Sequence, residues 1–119
     1  MNDLMKALYS FWSSFGLPAY VESAVPENAE LPYITYEVMT TNAEMSQCSA
    51  QVWYWDTSYF NISSKVDQIA KQLETGAVLK QDGLPVAYLA KGTPFCQYRS
   101  FDDIETKNAV LSVMIMTKH

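Results

Sequence analysis

The run QCSAQVWYWDT, residues 47–57, alternates too cleanly to be anything but a β-strand. Side chains on a strand point to opposite faces with a period of two. Cys48, Ala50, Val52 and Tyr54 therefore line one face, and Gln51, Trp53 and Trp55 line the other. Two tryptophans on the second face predict that it is covered as well, by a helix or by another subunit. At least one of the two is expected to be buried.

The rest of the chain arranges itself around this strand. Leu4, Leu8, Phe11, Trp12 and Phe15 recur at helical spacing and predict a helix over 3–15. Asn2 or Asp3 can cap it, Gly16 can end it in the left-handed region, and Pro18 forbids continuation. Residues 19–23 read as a short strand. Pro26 ends it, "ENAE" is a solvated loop, and Pro32 stands where a missing N–H does little harm to the strand at 32–40. A second helix is expected over 61–74, capped by Asn61, with Ile62, Val66, Ile69, Ala70 and Leu73 as its apolar stripe and Gly76 as its stop. The remainder reads as strands at 77–80, 85–91, 94–101 and 107–117, with a turn at "QDG" and the polar "FDDIETKN" between the last two. The expected architecture is one α+β domain over 1–119, with two helices packed on a largely antiparallel β-sheet of about five to six strands.

No apolar run approaches the ~18 residues needed to cross a bilayer, so no membrane partner is expected. The N-terminus lacks the features of a signal peptide. Cys48 and Cys96 are too few for a disulfide framework and read as reduced thiols. The net charge of −5 argues against nucleic-acid binding, where Lys and Arg supply most of the affinity. The charge is also unevenly spread. Residues 1–60 carry seven acids against Lys6 alone, a net of −6, whereas residues 61–119 carry six acids and seven bases, a net of +1.

Catalytic signatures are missing. The only histidine is His119, the last residue, which leaves no base for a Ser-His-Asp or Cys-His arrangement and no zinc ligand set. Neither phosphate-cradling glycine pattern occurs. "DDIE" at 102–105 is the strongest acidic cluster, and a turn between two strands accounts for it without a metal. No enzyme activity, cofactor or metal is expected.

The order of elements supports a specific comparison. A short N-terminal helix precedes "VPENAELPYITYEV". The "AQVWYWDTSY" strand, an Ile-x-x-x-Val-x-x-Ile-Ala-x-x-Leu helix and a β-rich C-terminal third then follow. This layout resembles the tail-completion or tail-terminator proteins of long-tailed bacteriophages and prophages, over essentially the whole chain. The resemblance implies a non-enzymatic virion protein located at the head-proximal end of the tail, and in the host cytoplasm before assembly. Its implied partners are copies of itself in a ring, commonly a hexamer, the tail tube protein, and the head-closure or connector protein. DNA would pass through the lumen without specific binding. Alternative readings are another neck component, such as a head-closure or adaptor ring protein, or a small-molecule-binding domain built on the aromatics.

Interface candidates follow from this reading. Glu27, Glu30 and Glu44 flank the 32–40 strand and would line a DNA-repelling lumen. Trp53 and Trp55 would meet a helix or a neighbouring subunit. Lys91 and Arg99 would receive the acidic half of the next copy.

Overall fold

The computed structural model describes residues 3–40, 45–55, 58–74, 76–100 and 105–117. The chain runs α1 (Asp3–Ser13), β1 (Ala19–Val21), a 3-10 turn (Glu22–Ala24), β2 (Tyr33–Thr40), β3 (Met45–Trp55), α2 (Phe60–Glu74), β4 (Ala77–Gln81), β5 (Leu84–Ser100) and β6 (Thr106–Thr117). The six strands form one sheet in the order β1-β2-β3-β6-β5-β4. Only the β1–β2 pair is parallel; the other four are antiparallel. This is the expected α+β architecture.

Local chemistry explains most of the boundaries. Gly16 ends α1 with φ +82°, and Gly76 follows α2 with φ +77°; both are conformations that glycine adopts without steric cost. The β4–β5 hairpin turns at Asp82 and Gly83, both at positive φ, with Gln81 and Leu84 closing the ladder. Two consecutive positive-φ residues match the right-handed twist of the flanking strands, which is why Asp-Gly is favoured there. The Pro18 carbonyl accepts the Ile34 N–H at 2.9 Å, so the segment after α1 is already aligned for the parallel β1–β2 pairing.

Two expectations need correction. Helix α2 begins at Phe60, so Asn61 lies inside its first turn and is not the cap. Tyr59 supplies the first helical carbonyl, to the Ser63 N–H at 2.9 Å. The Ser58 hydroxyl accepts the Phe60 N–H at 3.2 Å, so a serine two residues before the helix satisfies an otherwise orphaned donor. The second correction concerns 85–91 and 94–101, which are not separate strands but one, β5, with a shift of register between Lys91 and Cys96. Pro94 sits inside that irregularity, where no ladder donor is needed.

Both helices lie on one face of the sheet. Trp12, Leu8 and Phe15 of α1 and its exit join Ile62, Val66, Ile69 and Leu73 of α2, over Ile34, Tyr36, Cys48, Ala50, Val52, Leu111, Val113 and Ile115 from the strands. The Lys65 ammonium donates to the Phe15 carbonyl at 2.5 Å and ties the end of α1 to α2. Gly92 allows the irregular part of β5 to close over β6. A Cβ there would stand 2.4 Å from the Ser112 hydroxyl oxygen and 3.0 Å from the Ser112 carbonyl oxygen.

Two stability changes are expected in chemical denaturation. Gly92→Ala should lose about 1–3 kcal/mol through this overlap. Ser58→Ala should lose about 0.5–2 kcal/mol through the lost cap.

Candidate functional site

Because both helices cover the same face, the opposite face of the sheet has no helix over it among the described residues. The register identifies its residues. Tyr33, Thr35, Glu37 and Met39 of β2 stand beside Trp53, Gln51, Ser49 and Gln47 of β3. Those in turn stand beside Asn108, Val110, Ser112 and Met114 of β6. Arg99, Gln97 and Ala90 of β5 continue the rows, and Tyr88 joins Met116.

Apolar surface is concentrated at the two ends of the molecule. At the end where β3 finishes, Trp55 is 59% exposed, and Tyr59, Phe60 and Tyr98 are exposed around the start of α2. Tyr59 and Tyr98 meet edge to face at 5.4 Å. At the other end Met39, Met116, Tyr88 and Val78 are exposed on the bare face, with Leu84 at the tip of the β4–β5 hairpin. Exposed apolar groups gathered in this way are the usual mark of a protein-binding surface.

Between these ends runs a line of polar side chains. The Gln51 amide nitrogen donates to a Glu22 carboxylate oxygen at 3.0 Å, and its carbonyl oxygen accepts from Arg99 at 2.8 Å and from Asn108 at 3.2 Å. Arg99 Nε also donates to the Asn108 carbonyl oxygen at 2.8 Å. The amide of Gln51 is thus oriented by an anion at one end and a cation at the other. Asn108 is fully buried, and these bonds offset the cost of its desolvation. Glu37 stands next to Glu22 and raises its pKa, first by a hydrogen bond between the two carboxyls; burial and the Glu37 charge add to this, while Gln51 and Arg99 oppose it.

The candidates from the sequence are not gathered at one place. Trp53 is half-buried, and its indole N–H donates to the Thr35 hydroxyl at 3.1 Å. Trp55 is largely exposed, and among the described residues both helices lie on the other face of the sheet from these rings, contrary to one of the two covers expected. The tryptophan that is buried outright is Trp12 of α1. Lys91 and Arg99 lie on opposite faces of β5. Lys91 pairs with Val113 on the helix side, where it meets Glu74 at 3.5 Å and lies over the Phe95 ring. Arg99 pairs with Asn108 on the bare side. The three extra residues between them turn the strand over. Glu27 and Glu30 are exposed in the loop before β2, and Glu44 lies outside the described residues, as does His119. Sequence reasoning missed Gln51, Asn108 and Glu22; a polar residue inside a strand pattern gives no sign of its partners on distant strands.

Little here suits small-molecule chemistry. The hollows beside Glu22 and Glu37, around Gly92 and Ser112, and along Gln97 hold about 260, 180 and 260 Å³. Ligand pockets are generally about 300–1,000 Å³ and apolar. Burial pushes the Cys48 thiol up to about 12, and Cys96 is also raised, again by burial first, so neither is a ready nucleophile.

Two outcomes test this arrangement. Trp12→Ala should cost about 3–5 kcal/mol, whereas Trp55→Ala should leave the isolated subunit within about 0.5 kcal/mol of wild type. The raised pKa of Glu22 means that the folded state holds a proton which the unfolded chain releases near 4.5. That contribution is complete below 4.5 and is lost as pH rises through the folded value. Glu22→Gln should therefore melt above wild type at neutral pH, and the gap should close in thermal scans below that value.

No protein-family model matches the chain, and no curated protein matches it. Among solved structures, a chain described as "Virion of native gene transfer agent (GTA) particle" superposes with a TM-score of 0.65 at 12% identity, over 97% of this chain and 91% of that one. At that identity the likeness is one of fold, and it extends over nearly the whole of both chains.

Proposed function

We propose that this chain is a non-enzymatic structural subunit of a phage or phage-derived particle, which caps the tail tube as a ring and forms the joint to the head. The observation that carries the reading is the one-sided sheet. All the helical cover sits on one face, and the other presents exposed aromatic and methionine side chains at both ends of a polar line. Antiparallel sheets often leave one face to water, so the mark of an assembly subunit here is the exposed aromatic and methionine side chains gathered on that face. The fold shared with a gene transfer agent virion chain and the sequence layout of tail-terminator proteins both favour this setting. The shallow hollows and the protonated thiols count against a ligand-binding or catalytic role.

In this reading Trp55, Tyr88 and Met116 belong to contacts with the tube or with other subunits. Glu27 and Glu30 keep phosphate away from the lumen wall. The related reading, a head-closure or adaptor ring, differs only in the partner. Negative-stain microscopy of the purified protein mixed with tail tubes should show ring density closing one end of each tube. Binding to head connectors with no density on tubes would favour the adaptor, and binding to neither would remove the neck role altogether.

DNA supplies a second expected outcome. Phosphate repulsion acts over a Debye length of about 8–10 Å at ~0.15 M salt, so duplex DNA should show no measurable affinity there in an anisotropy titration. Micromolar binding that weakens as salt rises would contradict a repulsive lumen.

A further inference from the structure

Both sides of the sheet end in a strand that is only partly covered. On one side β1 pairs with Ile34–Tyr36 of β2, which leaves Glu37–Thr40 with no strand beyond it among the described residues, although the Glu22–Ala24 turn stands beside Glu37. On the other side β4 pairs with β5 no further than Leu89, while β5 continues to Ser100. Among the described residues no strand lies against either remainder. Such rims present backbone N–H and C=O groups in the spacing that another strand needs, and natural proteins guard them with charges, prolines and bulges. Here Lys91, Gly92 and Pro94 guard the first part of the β5 rim. Cys96, Gln97 and Tyr98, which follow in regular register with β6, carry no such guard. Glu37 alone marks the β2 rim.

The two rims also differ in charge. The strand order places β1, β2 and β3, all from the half of the chain with net −6, on one side, and β6, β5 and β4, from the half with net +1, on the other. Glu22, Glu27, Glu30 and Glu37 gather by the β2 rim, where Glu22 and Glu37 already crowd each other. The β5 rim carries mixed charge: Arg99 reaches inward to Gln51 and Asn108, Lys91 is held by Glu74, Lys80 and Asp82 stand at the hairpin end, and Asp67 of α2 lies close enough to Cys96 and Tyr98 to act on both. Pairing of two β2 rims would place like charges opposite each other, which is destabilising. Pairing of unlike rims avoids this. It is a heterologous contact, and such contacts close into rings when the rotation per copy permits.

We propose that copies of this chain join edge to edge, with Glu37–Thr40 of β2 in one copy pairing with the Cys96–Ser100 part of β5 in the next, so that the sheet runs on through the assembly. The occupant of each rim is a second copy of this chain. The ring reading supplies the setting and the closure, and the proposal rests on it for those; the pairing itself stands on the rims and their charge.

Hydrogen exchange read by mass spectrometry on the full chain tests it, comparing dilute monomer with protein assembled at high concentration or on tail tubes. Amides of 37–40 and of 96–99 should both exchange at least about tenfold more slowly in the assembly, since pairing makes their exchange depend on opening of the interface. Glu37→Lys should weaken assembly in sedimentation while the monomer melts no lower than wild type. Assembly with either rim left at its monomer rate overturns the pairing and leaves the ring reading standing. Protection of both rims in an open filament supports the pairing and overturns the ring. A chain that stays monomeric at high concentration and on tubes overturns both.

Discussion

The sheet exists because β6 lies between β3 and β5 and bonds to both. Ala109, Leu111, Val113 and Ile115, alternate residues of that strand, are buried, and each has a core residue beside it on at least one neighbouring strand: Val52, Ala50 and Cys48 of β3 and Leu89 of β5. Without β6 the sheet would be two separate pieces, β1-β2-β3 and β5-β4, joined only through the helices packed across both. Helix α2 follows from the same constraint. After β3 the chain must reach the far rim while leaving the places of β6 and β5 vacant, so it crosses the sheet on one face and enters β4. The apolar stripe of Ile62, Val66, Ile69 and Leu73 covers the ground it crosses. The defining contacts are therefore between distant parts of the chain, with residues 45–55 against 106–116, and their formation carries a large loop-closure cost.

That crossing also decides which face is bare. Helices α1 and α2 share one side, and the opposite side keeps whatever the strands supply. Its order depends on side-chain pairs across strands, the sheet counterpart of helical i, i+4 contacts. Trp53 bonded to Thr35, Tyr20 edge-on to Tyr33 at 5.7 Å, and Gln47 donating to the Ser112 hydroxyl at 2.8 Å order this surface without covering it. The buried Asn108 serves the same end. It lies on the bare side yet is shielded from water by neighbours that also bond to it.

Much of this was legible in the residues. The alternation at 47–57 placed Cys48, Ala50 and Val52 inward correctly, the glycine stops at 16 and 76 held, and Asp82-Gly83 marked its hairpin. What escaped depended on longer range. Asn61 is a good capping residue, but the Ser58 hydroxyl reached the helix end first, and Phe60 adopted helical geometry although its side chain is exposed. The pattern read as a break at 92–93, yet a continuous ladder on either side of the irregularity carried β5 through. The faces of Lys91 and Arg99 could not be read at all, because an odd number of steps hidden in the bulge reverses the alternation. Trp53 and Trp55 matched their face, but helical cover did not follow, because that depends on where the helices go and the strand itself does not encode it.

The distribution of apolar surface indicates which forces an assembly of these subunits would use. A large aromatic side chain buries about 150–250 Å², and at ~25 cal/mol per Å² each is worth several kcal/mol once covered. An exposed ion pair contributes about 0–1 kcal/mol and is weakened by salt. Trp55, Phe60, Tyr88 and Met116 therefore carry far more potential affinity than the acids and bases of the two rims. The charges have a different role, that of choosing between arrangements with similar apolar area. An acidic rim cannot comfortably face its own copy, whereas an apolar end can face almost anything. Affinity from the ends and orientation from the rims would give contacts that survive high salt yet form in one direction only, and a directional contact is what separates a closed ring from a disordered cluster.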